Sequence, residues 1–239
     1  MNFKGGVIII GSLIWDHTSI RDKWLKVAFK NSKVRVKTPV KIRYGRESET
    51  RSNTYSMILS NHTTTQFGEA FILEFKVPIM NFETLETQAY YLANAEGICK
   101  DISRPTLNAN WGTVGILLNP SIEAKDKPNA YLIINRWKQL YEQYKNFDPA
   151  DYIIDKNEHP VIDKIGILKI DWVKEMDEFD LLLATPTRPN TSHPLLPKEI
   201  ADRMNEKKYR EYFDNNIANK ISTFQDTEIV NYLITLIDP

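Results

Sequence analysis

The sequence predicts a mixed α+β protein. Two observations carry this expectation: the first half is rich in strand signals, and the second half turns helical after about residue 120. A third is the lack of any repeat, low-complexity tract or apolar run near the ~20 residues a membrane helix needs. The chain has 239 residues, 42% apolar and 26% charged, enough to bury a sizeable core in one large domain or in a domain with an extension. We expect a β-rich core over residues 1–124 and a helix-rich extension over 125–239 packed on it.

The elements follow in order. Val7 to Ile10 form a β-branched run that reads as a buried strand, 6–11. A helix is expected at about 19–30, with Trp24, Leu25 and Ala28 on one side. "VRVKTPVKIRY", 34–44, alternates apolar and basic residues as a half-buried strand does, with Pro39 marking an edge or a bend. Further strands are expected at 54–60, 67–77 and 112–118. A helix over 82–96 lies between the last two. The later half predicts a helix over 129–146 capped by Asn129, short strands at 165–170 and 180–185, and a Pro-punctuated loop at 185–197. Two or three helices follow over 198–236.

Charge narrows the function. Lysine plus arginine equals aspartate plus glutamate, 31 each, so binding to nucleic acid or to an anionic membrane lacks its usual electrostatic drive. One cysteine, Cys99, excludes an internal disulfide framework and fits a reducing, cytoplasmic setting. The apolar run near the N-terminus is short and broken by Gly11-Ser12, so no signal peptide is expected. The four histidines, His17, His62, His159 and His193, lack metal-ligand spacing, so no metal site is expected, and no Walker loop or Gly-x-Gly-x-x-Gly motif is present.

Two local features point to chemistry. The first is Gly11-Ser12, which interrupts an apolar run where a plain strand needs no small residues. A loop bringing its backbone N–H groups up to a ligand does need them. The second is the helix "NFETLETQAYYLANAEG", 81–97. Asn81 caps its start, and Gly97 ends it. Phe82, Leu85, Ala89, Leu92 and Ala93 share a face, and Glu96 falls on that apolar stripe at the C-terminal end. Burial and the negative end of the helix dipole both disfavour a charged carboxylate, so Glu96 is expected to have a raised pKa and to suit general acid–base work. The alternative is a glutamate at a frayed helix end, reaching into water.

In "RYGRESETR", 43–51, Arg43, Arg46 and Arg51 stand close together in an expected loop. Arginine forks suit a carboxylate-bearing substrate, with Tyr44 and Arg46 the preferred pair. Glu47 and Glu49 could instead neutralise these arginines at the surface.

Gly11-Ser12-Leu13, Gly68-Glu69-Ala70-Phe71 and Glu96-Gly97, taken together, resemble the γ-glutamyl cyclotransferase-like superfamily. That family has a Tyr-Gly-Ser-Leu type loop, a later strand, and a helix ending in a catalytic glutamate. The likeness covers about residues 5–120. The loop tyrosine is replaced by Ile10. The resemblance implies a small, closed or nearly closed mixed β-sheet with flanking helices. It implies cyclisation of a γ-glutamyl amide to 5-oxoproline, with release of an amine and no cofactor. Glu96 would be the acid–base, and the Gly11, Ser12 and Leu13 N–H groups would hold a carboxylate or an oxyanion, alongside Tyr44, Arg46 and Arg51. The competing expectation is a non-catalytic binder of the same fold whose C-terminal helices contact a protein partner.

Overall fold

A computed structural model describes residues 1–101 and 103–236. Six strands form one sheet in the order β3-β2-β4-β1-β8-β7. They are β1 (Gly5–Ile9), β2 (Val36–Ser48), β3 (Thr54–Leu59), β4 (Phe67–Glu74), β7 (Gly115–Leu118) and β8 (Leu181–Ala184). The two-residue strands β5 (Asn108–Ala109) and β6 (Gly112–Thr113) make a separate hairpin. Helices α1 (Ser19–Ala28), α2 (Phe82–Glu96), α3 (Ile122–Glu142), α4 (Pro197–Lys207), α5 (Glu211–Ala218) and α6 (Asp226–Thr235) flank it. The protein is thus a mixed α+β fold. The sheet curls into a half-barrel, and its edge strands β3 and β7 do not pair with each other.

The curl comes mainly from β2. Its first part, 36–41, pairs with β4, and its second part, 42–48, pairs with β3. Pro39 falls in the first part, where β2 has a strand on one side only, so its missing N–H interrupts no second ladder. The register shifts between Tyr44 and Arg46, a bulge at Gly45 that bends the strand.

Strand β1 is buried along its whole length between antiparallel β4 and parallel β8. That double burial explains the unbroken β-branched run in its sequence. Strand β8, which comes from the later half of the chain, joins the same sheet as the strands of the first half. Residues 181–184 sit between β1 and β7.

Helix α2 follows its sequence closely. Asn81 Oδ1 accepts the N–H of Thr84 at 2.8 Å, and Gly97 closes the helix in the left-handed region at φ +83°. Phe82, Leu85, Ala89, Leu92 and Ala93 are all buried. Full burial of a leucine such as Leu85 or Leu92 contributes about 1.5–3 kcal/mol.

Three expectations are corrected. Helix α3 starts earlier, at Ile122, and is kinked at Asp126. The carboxylate of Asp126 accepts from Asn129 N and Nδ2, so Asp126 and not Asn129 caps the second segment, with Pro128 tolerated in its first turn. The stretch 165–170 forms only isolated bridges, because Asp163 Oδ1 accepts the N–H groups of Ile165 and Ile167 and folds the chain into a turn around Gly166. The stretch 112–118 splits in two: Val114 N donates back to Leu107 O, and only 115–118 joins the main sheet. Among the described residues, no helix is long and apolar enough to cross a membrane.

Candidate functional site

The site begins where β1 ends. After Ile9 the chain turns through Gly11 into a short 3-10 turn, Ser12–Ile14. Trp15 and Asp16 donate to Ser12 O, whereas the N–H groups of Gly11, Ser12 and Leu13 make no such bond to the rest of the chain among the described residues. The first N–H groups of a helical turn have no partner inside it, which leaves these free for an acceptor. Gly11 is required by a close approach: a Cβ there would lie 2.8 Å from the hydroxyl oxygen of Tyr212. Ser12, Leu13 and Ile14 are buried, so Leu13 contributes its main chain to the site and its side chain to the core.

This turn opens on a cavity of about 1090 Å³, and Glu96 lines the same cavity. That is slightly more than the ~300–1,000 Å³ usual for a small-molecule site. Helix α2 delivers Glu96 there because its apolar face packs on the core and the glutamate is the last residue of that face. Burial raises the pKa of the Glu96 carboxyl; the charges of Arg21 and Arg51 and the Thr185 hydroxyl oppose the rise. Thr185 Oγ1 is buried and meets normal hydrogen-bond geometry with no other group, so its effect on Glu96 is that of a near neighbour.

Arg21, on α1, donates through Nε to Ala95 O at 3.1 Å, at the negative end of α2, and pairs with Asp16. Arg51 donates through Nη2 to Ser12 Oγ at 3.0 Å and through Nη1 to Ser48 Oγ at 3.2 Å. Its guanidinium lies 4.1 Å from the centroid of the Tyr212 ring. Arg46 also lines the cavity and donates to Arg188 O at 2.8 Å. Its pKa is lowered by burial and by the neighbouring Arg188 charge. Neither Arg46 nor Arg51 has a carboxylate within ion-pair distance among the described residues. Both cations are partly buried and lack a directly paired carboxylate, and they share the cavity wall with Asp16, Glu47, Glu49, Glu96 and Glu211, of which Glu49 acts on Arg46 and Glu96 on Arg51 through their charge.

Of the residues singled out from the sequence, Gly11, Ser12, Leu13, Arg46, Arg51 and Glu96 meet at this cavity. Tyr44 does not. Residues 43–48 are strand rather than loop, and in a regular strand 44 and 46 share a face. The bulge at Gly45 sets Tyr44 opposite Met57 and Arg46 opposite the adjacent Ser56, which sends their side chains to opposite faces. Tyr44 is fully buried against Phe213. Arg43 is buried as well, donating to Thr64, Thr65 and Leu195 O, under the influence of Glu158 and Asp155.

Arg21, Thr185 and Tyr212 were not singled out by their patterns. Thr185 is a polar residue ending the apolar run 181–184, which is the one local signal among the three. Trp111 also lines the cavity, and Ile10 does so without a hydroxyl. Among the described residues, no group of three His, Cys, Asp or Glu side chains is placed to hold a metal ion. Comparison of the chain with family models, with curated proteins and with solved structures found no match.

Proposed function

We propose that the protein is a γ-glutamyl cyclotransferase-like enzyme that cyclises a γ-glutamyl amide to 5-oxoproline and releases an amine. The observation that supports this reading is the meeting of Glu96 with the Gly11–Leu13 turn at one cavity, with Arg46 and Arg51 on its walls. Nucleophile and electrophile lie in one substrate molecule, so the protein has to fold that molecule on itself and move protons.

The chemistry runs without added reactants. Ionised Glu96 takes a proton from the substrate α-ammonium. The freed amine attacks the side-chain amide carbonyl, a C–N bond forms, and charge develops on the oxygen. The free N–H groups of the turn and the guanidinium of Arg51 stabilise that charge. Glu96 then returns the proton to the leaving nitrogen as the original C–N bond breaks, and the second proton of the attacking nitrogen passes through Glu96 to the released amine, which departs as an ammonium ion. A carboxyl raised above its ordinary range suits both halves of this shuttle. Arg46 takes a substrate carboxylate.

The test is Glu96→Gln. It keeps the shape of the side chain, and it should abolish 5-oxoproline release from γ-glutamyl amides without lowering thermal stability. Full turnover by this variant overturns the reading. Ile10 at the position of the family tyrosine supports a second reading, a binder that holds the same acid without turning it over. That reading predicts no release from any member of a broad γ-glutamyl amine and γ-glutamyl amino acid panel, with binding retained.

A further inference from the structure

Tyr212 stands at the Gly11–Ser12 turn although it comes from α5, near the far end of the chain. Its Oη accepts the N–H of Met57 at 3.3 Å, and no other hydrogen bond among the described residues involves it. A phenol that accepts one hydrogen bond still has its own proton to donate. The ring is held on both flanks. Arg51 lies over it at 4.1 Å, and Trp15 packs against it with centroids 5.8 Å apart. Trp15 is itself held by a bond from Nε1 to Asn216 Oδ1 on the same helix, at 2.8 Å. Only 4% of Tyr212 is exposed, yet it borders the cavity. Gly11 leaves the space beside the hydroxyl open, since any Cβ there would lie 2.8 Å from Oη. An O–H at the cavity wall with no acceptor among the described residues is available to a ligand oxygen.

We propose that Tyr212 is a ligand-holding residue whose O–H donates to an acid oxygen seated between the Gly11–Ser12 turn and Arg51. This rests on reading the Glu96 cavity as a site for a carboxylate-bearing molecule. It gives the later half of the chain a direct part in that site: α5 supplies one of the donors, so residues 1–124 alone make an incomplete receptor.

Binding tests this independently of turnover. The probes are 5-oxoproline and L-glutamate, titrated by calorimetry into the full-length wild-type protein, Tyr212→Phe, Gly11→Ala and the double variant. Tyr212→Phe keeps the ring, the Arg51 stack and the Trp15 contact. It should weaken binding about tenfold to hundredfold, the loss expected for one hydrogen bond to a charged group. Gly11→Ala should weaken it too by displacing the hydroxyl, and the double variant should be no worse than the weaker single variant. Thermal melts read the same contact: Gly11→Ala should lower the melting temperature in wild type more than in Tyr212→Phe.

Unchanged affinity in folded Tyr212→Phe overturns the proposal. If that variant does not fold, unchanged affinity in Gly11→Ala overturns it instead. Failure of the wild type to bind either acid also overturns it. A wild type that binds 5-oxoproline but never releases it from γ-glutamyl amides sinks the cyclotransferase reading alone, and leaves Tyr212 in its assigned role.

Discussion

Arg51 donates from Nη2 to Ser12 Oγ across 3.0 Å, and so joins the turn after β2 to the turn after β1. The same guanidinium covers the Tyr212 ring and acts on the charge of Glu96. One cation therefore touches two parts of the cavity and acts by its charge on a third, all from distant stretches of chain.

Removing that cation should have two separable effects. Arg51→Ala is expected to weaken binding of an acid ligand about tenfold or more, because a charge-assisted hydrogen bond contributes about 1.5–3 kcal/mol. It should also move the acidic limb of the kcat/KM profile upward in pH. Arg51 holds the Glu96 pKa down against the effect of burial, and its loss lets that pKa rise further. An unmoved limb would disconnect Arg51 from Glu96.

Glu96 also predicts how stability varies with pH. Its folded pKa is raised above the ordinary 4.5, so the folded state holds this proton more tightly than the unfolded chain does. Its contribution is complete below the unfolded pKa and is lost as pH rises through the folded value. Glu96→Gln abolishes this loss. Urea midpoints of wild type and variant should diverge above pH 4.5, with the variant the more stable at the alkaline end.

Asp226 behaves in the same sense and is a cleaner case, since it does not line the cavity and is 6% exposed. Burial pushes its carboxyl up to about 6, against hydrogen bonds from Thr223 that favour the charged form. From 3.8 to about 6 is roughly two pH units, or about 3 kcal/mol, present below pH 4 and lost on passing pH 6. In Asp226→Asn the decline in stability between pH 4 and 7 should shrink by about that amount. Chemical denaturation at fixed ionic strength measures it.

Two glycines separate backbone strain from crowding. Gly97 has φ +83° with nothing within 4 Å of an added Cβ, so Gly97→Ala should cost only the left-handed penalty, about 1–2 kcal/mol. Gly166 has φ +78°, and an added Cβ would sit 2.2 Å from the Tyr141 ring. That ring is fully packed and its hydroxyl bonds Thr113, so it has no room to yield. Gly166→Ala should cost about 3 kcal/mol or more. Denaturant midpoints of the two variants, compared at equal slope, report the difference.

Much of this architecture is local in origin and was legible in the chain. The β-branched run at 7–10, the Asn81 cap, the apolar stripe of α2 and the stop at Gly97 each follow from a few neighbouring residues. Their periodicity alone carries Glu96 to the end of a buried face. Other expectations failed for equally definite reasons. Asp126 took the cap expected of Asn129 because its carboxylate reaches two donors on that residue. Asp163 folded an expected strand into a turn.

By itself, then, the sequence determined the fold class, most of the early elements, a small-residue turn after the first strand, and a glutamate at the end of an apolar helix face. These depend on dihedral preference and hydrophobic period, which act over a few residues. Tertiary structure alone decided that β8 enters the sheet beside β1, that a bulge at Gly45 turns Tyr44 away from Arg46, and that Arg21, Thr185 and Tyr212 join the cavity. Those outcomes depend on close packing between segments far apart in the chain, where which side chains fit against which is settled only once the sheet has curled and the late helices have closed over it.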